Sequence, residues 1–155
     1  MNLSSLLAFT AKVDSAYAAS CQQVLDEFDL SKTSFDILMF LSNHRELYTA
    51  KDICLYRGIK PNVVSQHVEK LVQEGYLERR SVQEDRRMVR LVCTKKADPV
   101  TRRGSAVQRA FLEGLVDGLS KEDLAVFREC FRTIGNNAHR MQIGTNVSNG
   151  GISKC

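Results

Sequence analysis

The chain has 155 residues, 43% of them hydrophobic and 26% charged, with a net charge of +4. That is the size and balance of a soluble globular protein with one core, either compact by itself or extended by helices that cannot bury all their apolar faces alone and so form a symmetric oligomer. No apolar run approaches the roughly 20 residues of a membrane span, and the first residues lack the basic segment of a signal peptide, so a cytoplasmic, unprocessed protein is expected.

The first element is a long amphipathic helix. Leu3, Leu6, Leu7, Val13, Tyr17, Cys21, Val24 and Phe28 recur at steps of three and four or their multiples and form one stripe. Its length and early position point away from the core of a small domain. "SKTSFDILMFLSNH" follows as a second helix, with Phe35, Leu38, Met39 and Leu41 inward and Ser31 or Ser34 as caps. A short third helix starts after Thr49 and stops at Gly58, where the missing Cβ suits a tight turn.

Pro61 then stands at the first position of a fourth helix that runs to Gly75. Val64, Val68, Leu71 and Val72 are its buried set. Asn62, Val63, Ser65, Gln66, Glu69 and Lys70 lie on the opposite, mostly polar face. After Gly75, "YLERRSV" and "RMVRLVCT" read as two antiparallel strands about a turn at Gln83 to Arg86, with Val89, Leu91 and Cys93 on one face.

The chain is helical again from Thr94, restarting at Asp98-Pro99, with a stripe of Val107, Phe111, Leu115 and Leu119. Ser120 and Asp123 make a capping-box start for a last helix whose inner face is Leu124, Phe127, Phe131, Ile134 and Ala138. From residue 141 the Gly-, Ser- and Asn-rich end reads as a flexible tail.

Charge is concentrated in the middle. Residues 57–103 carry 12 Lys and Arg against 6 Asp and Glu, whereas residues 1–56 carry 4 against 7. Such clustering is either a solvated face or the footprint of a phosphate-binding surface. Five scattered cysteines without a CxxC pair and three scattered histidines make no disulfide framework, metal site or catalytic cluster, and no phosphate-binding glycine loop occurs. Neither a cofactor, a metal nor an enzymatic activity is expected.

Helix, turn, helix and a basic-tipped hairpin is the order of a winged helix-turn-helix, in which the second helix of the pair enters the major groove of double-stranded DNA. On that helix Asn62 and Gln66 can pair with adenine edges, Ser65 with several bases, and Val63 with a thymine methyl, while Lys70 is placed for a phosphate. Asp85, Arg86 and Arg87 at the hairpin tip suit a narrow minor groove, Asp85 orienting an arginine; Arg79 and Arg80 are candidate phosphate contacts or plain solvated charges.

The stretch "TAKDICLYRGIKPNVVSQHVEKLVQEGYLERRSVQEDRRMVRLVCT" resembles the MarR family of bacterial transcription regulators, including a wing pattern read here as Asp85, Arg87, Leu91 and Thr94. The match covers about residues 30 to 96. It implies a homodimer joined through its first and last helices, a pseudo-palindromic operator and a small aromatic effector; Ser65 and Gln66 match reading positions and Arg87 the wing arginine. Two residues depart from the pattern: Lys60 replaces a capping Ser or Asp, and Ala97 follows the wing Thr where a Gly is usual.

The expected architecture is therefore mainly α with a small β-hairpin wing: a dimerisation helix over 1–29, a winged helix-turn-helix over 30–96, dimerisation helices over 97–140, and a tail. The expected function is a homodimeric, sequence-specific repressor whose DNA affinity follows an effector, with Tyr17, Met39 and His44 as candidate pocket residues. Two alternatives stand beside it. One is a winged-helix interaction module without DNA binding, favoured by the acidic residues Glu69, Glu74, Glu78 and Glu84 on the basic face. The other is a redox sensor using Cys21, which the family resemblance suggests but which finds no cationic neighbour within a turn of its own helix.

Overall fold

The computed structural model describes residues 2–44, 46–82 and 88–149, with side chains as far as Met141 in the last helix. In chain order the elements are α1 (Leu3–Phe28), α2 (Lys32–Asn43), α3 (Ala50–Arg57), α4 (Pro61–Gln73), β1 (Leu77–Ser81), β2 (Val89–Cys93), a 3-10 turn (Lys95–Ala97), α5 (Asp98–Leu115) and α6 (Lys121–Asn149). They fall into two compact units, residues 1–112 and residues 113–155.

Local chemistry sets the helix limits. Asn2 and Ser31 cap α1 and α2 through their side-chain oxygens. Thr49 and Asp52 form a reciprocal capping box on α3, and Gly58, at φ 63°, ends that helix in the left-handed region open to glycine. Pro61 occupies the start of α4, whose missing amide hydrogen is no loss there. Lys60 supplies no side-chain cap, in keeping with its departure from the family pattern.

The core of the first unit is built around α2. Phe35, Ile37, Leu38, Met39 and Phe40 are buried on it, against Cys21, Val24 and Leu25 of α1, Ile53 of α3, Val64, Val68 and Leu71 of α4, and Leu77 and Leu91 of the hairpin. Each such aliphatic or aromatic side chain stabilises the fold by about 1.5–3 kcal/mol relative to exposure. The second half of α1 therefore belongs to this core, contrary to the expectation that the helix lies outside it. Its first half leaves the apolar Leu3, Leu7 and Phe9 exposed.

α5 reaches α2 through Gly104, which is buried. A Cβ built there would stand 2.4 Å from Met39 Sδ and 2.9 Å from two ring carbons of Phe35, so the close approach depends on the absent side chain. Ala97, in place of a glycine, is fully buried in the turn that leads directly into α5.

β1 and β2 pair antiparallel, with Arg79 opposite Leu91 and Ser81 opposite Val89. The outer edge of β2 is met by the segment before α3: Leu91 N–H donates to Tyr48 O at 2.9 Å, and the Arg90 guanidinium lies 4.6 Å from the Tyr48 ring centroid.

In the second unit Ser120 and Asp123 cap α6 reciprocally, the serine hydroxyl donating to the carboxylate at 2.6 Å and the Asp123 N–H to the hydroxyl at 3.0 Å. Hydrogen bonds donated by the Ser120 hydroxyl and the Ser120 N–H hold the Asp123 carboxyl below its usual range. Phe127 and Phe131 stack at 5.8 Å, and with Val126, Ile134 and Met141 they are exposed. The end read as a flexible tail is helical through Asn149, because its first turns continue the α6 hydrogen-bond ladder despite their composition.

Candidate nucleic-acid interface

α4 divides into two faces. Val64, Val68 and Leu71 are buried, while Asn62, Ser65, Gln66, Glu69 and Lys70 are exposed and Val63 is half-buried at the margin. The polar face thus offers an amide, a hydroxyl and a second amide along its first two turns, a set able to donate to and accept from base edges in a groove wide enough for a helix.

The C-terminal end of α4 is fastened to the chain beyond the hairpin. Thr94 Oγ1 donates to Gly75 O at 2.6 Å, and Lys96 Nζ donates to Glu74 O at 2.7 Å while lying 4.6 Å from the Tyr76 ring centroid. Thr94, a residue of the wing pattern, also accepts from Lys96 N–H and so caps the 3-10 turn. Its place in the motif is structural.

Of the candidate phosphate contacts, Arg79 pairs with Glu69 of α4 at 2.7 Å, Arg80 pairs with Glu78, and Lys70 lies 3.7 Å from Glu74. The hydrogen bond and charge of Arg79 hold the Glu69 carboxyl below the usual range. These cations are therefore partly neutralised within the protein. Asp85, Arg86 and Arg87 lie outside the described residues.

The candidate effector residues do not share one cavity. Met39 and His44 line a cleft of about 200 Å³ with Asp36, Phe40, Tyr56 and Arg57, whereas Tyr17 lines a neighbouring cleft of about 220 Å³ with Phe111 and Leu112. Arg57 and Gln108 border both. Arg57 Nη2 is 2.9 Å from Asp36 Oδ2, and Gln108 Nε2 donates to Tyr17 Oη at 2.8 Å. Three different helices bring Asp36, Arg57 and Gln108 here, so no local spacing could single them out.

Cys21 is fully buried, and burial pushes its thiol up against opposing effects of the Tyr17 hydroxyl and Lys32. Lys32 is the cation the α1 sequence could not reveal: it comes from α2 and lies 4.5 Å from the Tyr17 ring centroid. Burial also raises Tyr17 far above its ordinary value. Among the described residues no cluster of three metal-ligating side chains occurs, and no helix is long and apolar enough to cross a membrane.

A helix pair with one polar face turned outward, followed by a twisted hairpin fastened to it, defines a winged helix-turn-helix protein. Residues 28–88 match the model of the MarR family, and that segment resembles a winged helix of that family. Comparison with curated proteins gives no match. Among solved structures, the transcriptional regulator PA3341 is 24% identical over 90% of this chain and 99% of that one, with a TM-score of 0.77. A MarR family transcriptional regulator from Listeria monocytogenes, complexed with a 26mer DNA, is 12% identical over 100% and 99%, with a TM-score of 0.78. MepR of S. aureus in its DNA complex is 17% identical over 88% and 96%, with a TM-score of 0.71. These likenesses establish the fold.

Proposed function

We propose that the protein is a homodimeric, sequence-specific DNA-binding transcriptional regulator of the cytoplasm, a repressor that changes its hold on a pseudo-palindromic operator when a small aromatic effector binds. The observation that carries this reading is the α4 surface: polar Asn62, Ser65 and Gln66 face outward from a helix whose other side is locked into the core. The two DNA-bound relatives support the same use of the fold.

The exposed apolar residues of the first half of α1 and of α6 call for cover, and a second copy of the chain supplies it. For the effector, the two clefts offer aromatic walls from Phe40, Tyr56 and Phe111 and polar groups from Arg57 and Gln108.

Sedimentation and selection of bound genomic fragments test the reading together. The chain should sediment as a dimer at micromolar concentration and enrich fragments with two half-sites centred about 10 bp apart or a multiple of it. A monomer that binds DNA tightly overturns the dimeric arrangement. A dimer that enriches no fragment overturns the DNA-binding role and leaves the fold as an interaction module.

A further inference from the structure

Three polar side chains connect α4 to the start of α2. Ser34 is a buried polar residue of the core, 1% exposed. Its Oγ accepts from the Ser31 hydroxyl at 3.0 Å and lies 3.0 Å from His67 Nδ1. Ser31 Oγ, which accepts the Ser34 N–H at 3.2 Å, stands 3.4 Å from the same ring nitrogen. A hydroxyl that already receives the Ser31 hydrogen has its own left to give, so Ser34 can donate to Nδ1 of the imidazole tautomer that carries its hydrogen on Nε2.

Among the described residues this is the polar side-chain link between α4 and another helix. Otherwise α4 meets the core through apolar Val64, Val68, Leu71 and Val72, and meets β1 through the exposed Glu69–Arg79 pair. Apolar burial has no directional preference, so it fixes how deeply α4 sits more firmly than its rotation about its own axis. The C-terminal end is fastened by Thr94 and Lys96, whereas the N-terminal end has no side-chain cap. His67 immediately follows Gln66 and stands one turn beyond Val63. Its bond to Ser34 is therefore placed to fix the angle at which Asn62, Ser65 and Gln66 project, and a turn of the helix would bend their hydrogen bonds to base edges, which weaken steeply as the donor–hydrogen–acceptor angle departs from linear.

We propose that His67 is a positioning residue that sets the rotational register of the recognition helix through Ser34, and so determines sequence discrimination rather than general DNA affinity. The proposal rests on the DNA-reading role assigned to α4 above. Asparagine at position 67 keeps a carbonyl acceptor near the place of Nδ1, whereas leucine keeps bulk and removes the acceptor.

The test measures affinity for a selected operator and for a random duplex of equal length, in the parent, His67→Asn, His67→Leu, Ser34→Ala and the double variant His67→Leu/Ser34→Ala, each first shown to unfold cooperatively. The ratio of the two affinities should fall about 3- to 10-fold in His67→Leu and in Ser34→Ala, with random-duplex affinity unchanged. The double variant should fall no further than either single one, and His67→Asn should keep the parental ratio. If Ser34→Ala does not fold, the contrast between His67→Leu and His67→Asn decides. A parental ratio in His67→Leu, or equal loss in His67→Asn and His67→Leu, overturns the positioning role while DNA reading stands. A parent protein that prefers no sequence overturns the reading of α4 itself, and this proposal with it.

Discussion

Arg79 of the first wing strand and Glu69 of the recognition helix form an ion pair at 2.7 Å across the face the protein would turn to DNA. The pair is exposed, so it adds little to stability, but it withholds a cation from phosphate. Replacing Glu69 with glutamine should release Arg79 and remove an anion from the same face. The expected result for Glu69→Gln is tighter binding to operator and random DNA alike, with a salt slope steeper by about 1 per half-site. Titrations at two salt concentrations check this; an unchanged slope would place Arg79 away from the DNA.

Gln66 is exposed on α4, one residue before His67, and its amide is the proposed base-edge group rather than an anchor. Gln66→Ala should cost about 1–3 kcal/mol on the operator and little on random DNA. Arg87, outside the described residues, should behave in the opposite way: Arg87→Ala should weaken binding to all sequences and lower the salt slope by about 1 per half-site. Parental discrimination in the Gln66 variant would remove that residue from the reading set.

Gly104→Ala tests the packing of α5 on α2. Helix propensity favours alanine by about 1 kcal/mol. Against that gain, the new methyl would meet Met39 and Phe35, both fully enclosed, and overpacking of this kind costs about 1–3 kcal/mol. The 2.4 Å approach to Met39 puts that cost in the upper part of its range, so thermal unfolding should show a net loss of about 1–2 kcal/mol, or roughly 2–8 °C in Tm. A variant as stable as the parent would mean that Met39 moves aside into its neighbouring cleft.

The buried Cys21 thiol holds its proton above the ordinary thiol range, so alkylation should be slow at neutral pH and accelerate only in more alkaline solution. Exposed Cys130 should be labelled first, as peptide mass spectrometry can follow. A mild hydroperoxide should leave DNA binding intact. Because the folded thiol is the weaker acid, the stability linked to it is present below the ordinary thiol value and is lost as pH rises through the folded one. Loss of DNA binding that Cys21→Ser resists would establish the redox reading instead.

What could be read from sequence was what neighbouring residues decide among themselves. Thr49 at the start of α3, Ser120 with Asp123, Pro61 at the head of α4 and the division of α4 into valine and amide faces all follow from spacings within one helix. The pairings of Glu69 with Arg79, Tyr17 with Gln108 and Asp36 with Arg57 were hidden because each joins two elements, as far as 91 residues apart for Gln108 and Tyr17. The α1 stripe was legible, but a period of 3.6 cannot say whether its apolar side meets its own chain or another copy; here Cys21, Val24 and Leu25 meet their own core. At the other end, composition was a weaker guide than the momentum of a helix already begun.

The bond from Leu91 N–H to Tyr48 O bears on how the molecule behaves in crowded solution. A two-stranded hairpin presents unpaired backbone groups along its outer edge, and Val89–Cys93 is β-branched and apolar enough to recruit a similar strand from another chain. The loop before α3 occupies that edge at its buried residue, and Arg90 places a charge on the adjacent ring. An incoming strand would have to displace both before it could extend the ladder, so the edge of β2 is kept from becoming a template for aggregation.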